Sequence, residues 1–486
     1  MTGEALIIIA LLVPTIGAGL IWLTAWNPNV REATTLVTAG TLFAIVVAIL
    51  GRVLNGEDLA TGTWPIAPGL ELGFRVEPLG MLFACVASGL WIVNSIYSIG
   101  YMRGNKEPRQ TQFYMCFAIA LASTIGIAFA ANLFTLFLFY EVLTLSTYPL
   151  VTHKGDENAK AGGRVYLLVL LGTSTVLLLP AIIATALIAG TLDFMPGGIL
   201  TGKADKATLM ILLAMFMFGI GKAALMPFHR WLPAAMVAPT PVSALLHAVA
   251  VVKAGVFTVT KVVLYIFGIE LLASTGANEW LIWVAAASLL LGSLVAMTKD
   301  NLKARLAYST VSQLAYVVLG AALATSWGVI GGAMHIAMHA FGKITLFFCA
   351  GAIYTAAHKT EVSELSGLGR TMPFTFAAFL IGALSIIGLP PFGGLWSKWY
   401  LALGALQAGQ IVIVAVLMIS SLLNIAYLLP IPIKAFFGQA SGRKSSGIKE
   451  APLPCLIAIG LTSLGCLILF FFPDGILNLL SRIQVQ

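Results

Sequence analysis

Five ionisable side chains, Glu141, Lys222, Lys253, Lys343 and Lys398, stand inside long apolar runs of a 486-residue chain. A charge at mid-bilayer depth costs about 2.5–3.5 kcal/mol on insertion scales, so such groups normally face a protein interior or a water path and mark ion routes. Glu141, in FTLFLFYEVLTLSTYPL, has no other charge within a helical turn and needs a partner from another helix. Lys222 is the natural one, because a carboxylate and an ammonium buried apart are each more costly than a pair. Taken alone, that pair could equally be a static bridge locking two helices. One acid cannot neutralise four amines, however, so some lysines must spend time neutral, and titratable lysines spaced across a membrane make a proton relay.

His335, His339 and Lys343 recur every four residues in GGAMHIAMHAFGKITLFF and share one stripe of a helix. Imidazole exchanges protons near neutral pH, so the stripe reads as a proton wire ending on Lys343, with core hydrogen bonding as the plainer alternative. A zinc site is disfavoured: HxxxH lacks the acid and third ligand of the metalloprotease pattern, and the lysine would repel a cation. His247 and Lys253, in PVSALLHAVAVVKAGVF, could bridge the first lysine to the stripe, although six-residue spacing does not place them on one helix face. His229, just beyond Pro227, fits proton entry or an interfacial histidine equally well. Lys261, late in the same span as Lys253, reads as a side chain that snorkels to the boundary, and Lys299, Lys303 and Arg305 read first as a topology signal.

The elements that position these groups are membrane helices. Hydrophobic residues make up 59% of the chain and charged residues 9%, with a mean hydropathy of +0.97, against about 25% charged in soluble domains. Windows of about 20 apolar residues predict about fourteen spans, centred near residues 14, 42, 89, 121, 141, 175, 216, 254, 289, 314, 343, 388, 423 and 462. The opening MTGEALIIIALLVPTIGAGL has no basic leader and reads as a retained helix. Most of the 27 basic residues, from Arg31 and Arg103 to Arg443, Lys444 and Lys449, fall in loops on one side, while Arg52, Arg75, Lys203, Lys206 and Arg482 fall on the other. The positive-inside rule then puts both termini outside. The same asymmetry accounts for the net charge of +8 and leaves no case for nucleic-acid binding. Cys85, Cys116, Cys349, Cys455 and Cys466 lack CxxC spacing and suggest neither disulfides nor a metal cluster.

Three spans are interrupted: the seventh at Pro227, the twelfth at Pro390 and Pro391, and the eleventh by Gly331, Gly332, Gly342 and Gly351. Broken helices in corresponding halves point to a transport path. Lys222 lies five residues before Pro227 and Lys398 seven after Pro391, the order expected of two five-helix units related by inversion.

The stretches GKAALMPFHRWLPAAMVAPTPVSALLHAVAVVKAGVF, DNLKARLAYSTVSQLAYV and HAFGKITLFFCAGAI, within residues 110–435, resemble the proton-translocating antiporter-like family. That family includes membrane subunits of respiratory complex I, of membrane-bound hydrogenases and of Mrp-type sodium/proton antiporters. The resemblance implies an all-α polytopic fold of about fourteen helices with two inverted five-helix repeats: helices 1–3 over 1–109, repeats over 110–268 and 269–440, and a last helix over 441–486. It further implies that Glu141 modulates Lys222, that Lys253 bridges, that His335, His339 and Lys343 form the central axis, and that Lys398 is the terminal lysine. Glutamate at the fifth helix with lysine at the twelfth, SELSGLGRTMPF and GLPPFGGLWSKW, and the chain length resemble the D-type subunit of an Mrp antiporter, although hydrogenase relatives share much of this. The resemblance implies partner subunits and a bacterial inner membrane, with protons and Na+ as cargo and no cofactor or metal. A proton-pumping subunit of a redox complex is the alternative, and no electron-carrier motif is recognisable in the chain. An inert scaffold is hard to square with so many intramembrane charges.

Overall fold

Helix starts follow from short polar caps that satisfy the first free backbone donors. Thr2, Asn27, Asn132, Asp156, Asp205, Asn301 and Thr325 each accept from a backbone N–H two or three residues on. The computed structural model describes residues 2–439 and 447–483, so Arg443 and Lys444 of the charge pattern lie outside the described residues.

Among those residues, eleven helices are long and apolar enough to cross a membrane by length and composition: α1 (Gly3–Leu23), α2 (Pro28–Leu54), α3 (Pro78–Gly104), α4 (Gln110–Ala128), α5 (Leu133–Val151), α6 (Glu157–Ala189), α8 (Thr240–Phe267), α9 (Glu279–Thr298), α11 (Ser326–Ala357), α14 (Ile411–Phe437) and α15 (Leu453–Phe471). The other expected spans fall on α7 (Lys206–Gly219), on the less apolar α10 (Leu302–Ala322), and at the junction of α12 (Pro373–Ile387) with α13 (Gly394–Gln407). The fold is an all-α polytopic bundle with two inverted five-helix repeats and broken helices. Its axis is α8 and α11, buried over 100% and 94% of their apolar windows, while α1, α2, α6, α14 and α15 turn most of their surface outward. Two small antiparallel ladders link α2 to α3: β1 (Leu59–Ala60) with β4 (Arg75–Val76), and β2 (Trp64–Ala67) with β3 (Leu70–Leu72). Both chain ends lie beside this hairpin, since Gly62 N donates to Glu4 and Arg482 donates to Val53 O. That side of the bundle is the terminal face, and the opposite side is the loop face.

The breaks differ from the sequence expectation in two ways. α7 stops at Gly219, three residues ahead of Lys222, and the chain continues as a 3₁₀ turn over Gly221–Ala223 and non-helical backbone to Trp231. Pro227 therefore extends a break that has already begun. The cause is crowding: a Cβ at Gly219 would meet Leu178 N at 2.5 Å, and one at Gly221 would meet Thr173 Oγ1 at 2.3 Å. Secondly, α11 is continuous over 32 residues despite its glycines. They serve close helix contact, since a Cβ at Gly331 would lie 2.6 Å from Leu401 N and one at Gly351 2.1 Å from Tyr97 Oη. The twelfth-span break is as expected: α12 ends on Gly388 in the left-handed region (φ 88°) and α13 resumes at Gly394. α7 enters from the terminal face and α12 from the loop face, so the two breaks are approached in opposite directions.

Candidate functional site

Lys222 sits in the unwound segment with no exposure to solvent. Its Nζ donates to Tyr140 O at 2.8 Å and to Thr144 Oγ1 at 2.5 Å, both on α5, and lies 3.2 Å from the centre of the Tyr140 ring. Tyr140 Oη in turn accepts from Lys222 N at 3.1 Å. Glu141 is the next residue on α5 and the acidic group that acts on Lys222 electrostatically, but no ion pair within 4 Å joins them. Both carboxylate oxygens of Glu141 are buried without a hydrogen-bond partner. The expected contact pair is thus a charge held one residue away from the lysine's carbonyl ligand, because the helix turns Tyr140 and Thr144 toward the break and Glu141 toward the flank.

The central groups come from α8, α10 and α11. Lys253 Nζ lies 2.5 Å from His339 Nδ1, and the His339 and His335 rings stack with centroids 5.8 Å apart. His335 then reaches sideways, with Nδ1 2.8 Å from Ser397 Oγ on α13 and Nε2 3.1 Å from Gln313 Oε1 on α10. Lys343 does not close the stripe by touching His339. Its Nζ donates to Ser309 Oγ at 2.8 Å, which lies 2.8 Å from Tyr427 Oη, and Tyr427 donates to Asn424 at 2.5 Å. All three stripe residues are buried, and Lys253 and Lys343 are near enough to repel one another. α8 carries Lys253 to this axis and also touches the Lys222 turn, because Gly255 packs against it so closely that a Cβ would lie 2.3 Å from Lys222 C.

Lys398 stands in the second turn of α13 and folds back onto the break. Its Nζ donates to Ile387 O at 2.8 Å, the last carbonyl of α12, and to Ser421 Oγ at 3.0 Å, and lies 5.0 Å from the Tyr316 ring centre. A half-helix C-terminus carries about −0.5 elementary charge, so the break supplies a partial anion to a lysine with no acid beside it. Tyr316 also packs on His335 at 5.2 Å, which brings the Lys398 site against the histidine stripe. Lys222 and Lys398 are thereby held alike, each by a main-chain carbonyl and a hydroxyl.

His247 lies in a five-residue π-helical segment, Leu245–Val249, that interrupts α8 and that the sequence gives no sign of. Its ring packs on Phe347 at 4.6 Å, and both of its nitrogens are unpartnered. His229 is half-buried in the seventh-span break against Tyr308, at 5.9 Å, with Nδ1 unpartnered. Lys303 lines a cavity of about 150 Å³ on the loop face with Tyr101, Lys154, Thr240 and Lys359, at the foot of α8. Lys261 overturns its expectation. α8 is enclosed on every side, so no lipid boundary is within reach; Nζ is fully buried, donates to Ala130 O at 2.6 Å and lies 3.1 Å from Glu77 Oε2. The sequence reading also missed Tyr140, Thr144, Ser309, Gln313, Ser397, Ser421 and Tyr427, since hydroxyl and amide residues in apolar helices carry no local sign of a partner.

The arrangement is a chain of buried amines and imidazoles, linked in part by hydroxyls, running from the α7 break through α8 and α11 to the α12–α13 break. Such a chain can pass protons between groups whose charge is set by neighbouring charges.

Residues 130–424 match the family described as "NADH:quinone oxidoreductase/Mrp antiporter, TM", and residues 66–114 match "NADH-Ubiquinone oxidoreductase (complex I), chain 5 N-terminus". The chain is 32% identical over 466 residues to NADH-quinone oxidoreductase subunit N of Desulforudis audaxviator, covering 91% of this chain and 92% of that protein. It is 30% identical over 476 residues to a Na(+)/H(+) antiporter subunit of Alkalihalophilus pseudofirmus, covering 90% of this chain and 57% of the longer protein. Among solved structures, one from the Mrp complex of Dietzia sp. superimposes with a TM-score of 0.85 at 24% identity, covering 100% of this chain and 97% of the other. One from an archaeal membrane-bound sulfane sulfur reductase superimposes with a TM-score of 0.86 at 22% identity, covering 99% and 98%. With more than half its length matched by the family and a relative of 32% identity covered almost end to end, this chain belongs to the NADH:quinone oxidoreductase/Mrp antiporter transmembrane family.

Proposed function

We propose that this chain is the D-type, ion-translocating subunit of a multisubunit Na+/H+ antiporter of the Mrp type, in a bacterial inner membrane with both termini outside. Protons entering down the proton-motive force pass along Lys222, Lys253, His339, His335 and Lys398, with Lys343 as a second central store and His229 and His247 as auxiliary stations. Na+ leaves in exchange. The observation that carries this reading is the unpaired state of the central lysines: Lys253, Lys343 and Lys398 are held by imidazole, hydroxyl or carbonyl groups and by no carboxylate. A purely structural buried lysine would be expected to sit on an acid. Glu141 acts as the switch, since its charge, one residue from the Lys222 ligands, biases which form Lys222 takes.

The test is the assembled complex bearing Lys222→Ala or Glu141→Ala, assayed for Na+-induced collapse of ΔpH in inverted vesicles. Loss of the signal with assembly intact is the expected result. Full activity in both variants would mean that the charges are structural or that another subunit carries the transport. A second reading, a proton-pumping subunit of a complex I-like redox assembly, is favoured by the near-complete coverage of a complex I subunit N. In that case the redox chemistry belongs to partners, and ion movement would stop when the electron-transfer subunit is deleted, whereas an antiporter would continue.

A further inference from the structure

The relay described above leaves one buried ion pair unused, and it lies where α8 leaves the bundle on the terminal face. Lys261 follows Lys253 by eight residues on that helix, about 12 Å further along its axis at 1.5 Å per residue. Its Nζ lies 3.1 Å from Glu77 Oε2, with side-chain exposures of 0% and 11%, and 4.3 Å from the Phe194 ring centre. Glu77 is the residue before α3 and has no capping hydrogen bond to that helix. Its carboxylate instead forms part of the wall of a cavity of about 360 Å³, shared with Glu57, Asp58, Arg75, Tyr265 and Arg482. That lining is polar and the space is roomy enough to hold water. The other acids facing it are already engaged: Asp58 takes two hydrogen bonds from Arg75, at 3.0 and 2.6 Å, and Glu57 pairs with Arg52 at 3.6 Å. Glu77 is the acid whose partner is inside the membrane bundle.

We propose that Lys261 and Glu77 form the proton port of this chain on the terminal face, joining the central relay on α8 to water in the adjoining cavity. In the outward step, the Lys261 ammonium gives a proton to the Glu77 carboxylate, leaving a neutral amine and a carboxylic acid. The acid then releases the proton to cavity water and returns to carboxylate, while Lys261 is reprotonated from the Lys253 side. Phe194 and Phe257, 4.3 and 5.7 Å from Nζ, shield the amine from the cavity, so that Glu77 is the group through which it exchanges. Burial raises the Glu77 carboxyl above its ordinary range while Lys261 and Arg75 oppose the shift, which suits a group that must both take and release a proton.

This inference rests on the ion-translocating reading of the chain, and the experiment separates the two. Proton movement is measured with a pH dye in vesicles holding the whole complex, comparing wild type, Lys222→Ala, Glu77→Gln, Lys261→Met and the double variant Glu77→Gln/Lys261→Met. The expected result is a loss of at least tenfold in each single variant and in the double, which removes both charges together and so leaves neither one buried unpaired. Lys222→Ala inactive while the double variant transports at the wild-type rate would overturn the port and keep the function. Lys222→Ala fully active would overturn the function itself. A double variant that restores assembly and rate lost in the single ones would make the pair a structural clamp, which also overturns the port.

A second measurement does not depend on how these variants fold. Glu57→Cys on the cavity rim is modified with a bulky membrane-impermeant maleimide after assembly, beside Ile66→Cys on the exposed hairpin strand β2 as the control. Transport is expected to fall several-fold on modification of the first and not of the second. An unchanged rate after complete modification of Glu57→Cys would overturn the proposal.

Discussion

Two kinds of buried charge coexist in this chain, and they respond differently to removal. Glu32 is 5% exposed and lies between Arg31 at 3.4 Å and the Arg103 guanidinium, while Arg31 is itself only 6% exposed and also bonds Gln110. Glu32→Ala leaves Arg31 buried beside no acid, and stability is expected to fall by about 3 kcal/mol, read as a lowered Tm in detergent. Lys343 has no acid to orphan. Lys343→Met removes a desolvated amine and refills its volume, so Tm is expected to stay level or rise while transport drops at least tenfold. A parallel fall of Tm and transport in Lys343→Met would make that lysine a structural group. The charged positions of the relay were legible in the sequence because a charge in an apolar run is a local anomaly. Ser309, Ser397 and Ser421 were not, because serine and threonine in apolar helices commonly bond back to their own helix, as Ser88 and Thr124 do to residues four earlier. Only tertiary packing tells the two groups apart.

Element breaks set where the amines sit, and each break is enforced by close backbone contact. The Lys222 turn is wedged against α8 at Gly255, where an added Cβ would lie 2.2 Å from Ala223 N and 2.3 Å from Lys222 C. Main-chain atoms cannot move aside as a side chain can, so Gly255→Ala is expected to cost about 1–3 kcal/mol and to displace the Lys222 ligands, lowering transport together with Tm. Gly172→Ala, on α6 with nothing within 4 Å of the added carbon, is the matched control and should leave both unchanged. Equal behaviour of the two variants would show that the Gly255 contact does not hold the site. The sequence indicated the breaks through Pro227 and through Pro390 and Pro391 but placed the first too late. It took the α11 glycines for interruptions when they are contact points. Proline is a breaker on covalent grounds wherever it stands, whereas the role of a glycine depends on what passes next to it. The π segment around His247 had no such residue to announce it, and it rotates that imidazole relative to Lys253 in a way that regular helical spacing does not anticipate.

At the scale of the whole molecule, the membrane class, the inverted arrangement and the enclosed α8–α11 axis followed from hydropathy and family resemblance, but the outward faces carry a requirement of their own. On α5, Leu138, Val142 and Leu145 are 38, 43 and 56% exposed, and Glu141 lies on the flank of the same surface with both carboxylate oxygens unpartnered. A carboxylate beside lipid-facing leucines is costly at membrane depth, and the proposed role in a multisubunit complex places a neighbouring protein over this face. A nitroxide attached at Leu145→Cys reports it through collision with oxygen, which dissolves in the lipid core. Oxygen accessibility is expected to fall when the chain passes from isolation in vesicles to the assembled complex. The isolated chain is likewise expected to give no Na+-dependent ΔpH change, because Glu141 then has lipid where the complex supplies a partner. Unchanged oxygen accessibility at Leu145 in an active complex would mean that α5 faces lipid throughout and that Glu141 sets the Lys222 charge without help from a neighbour.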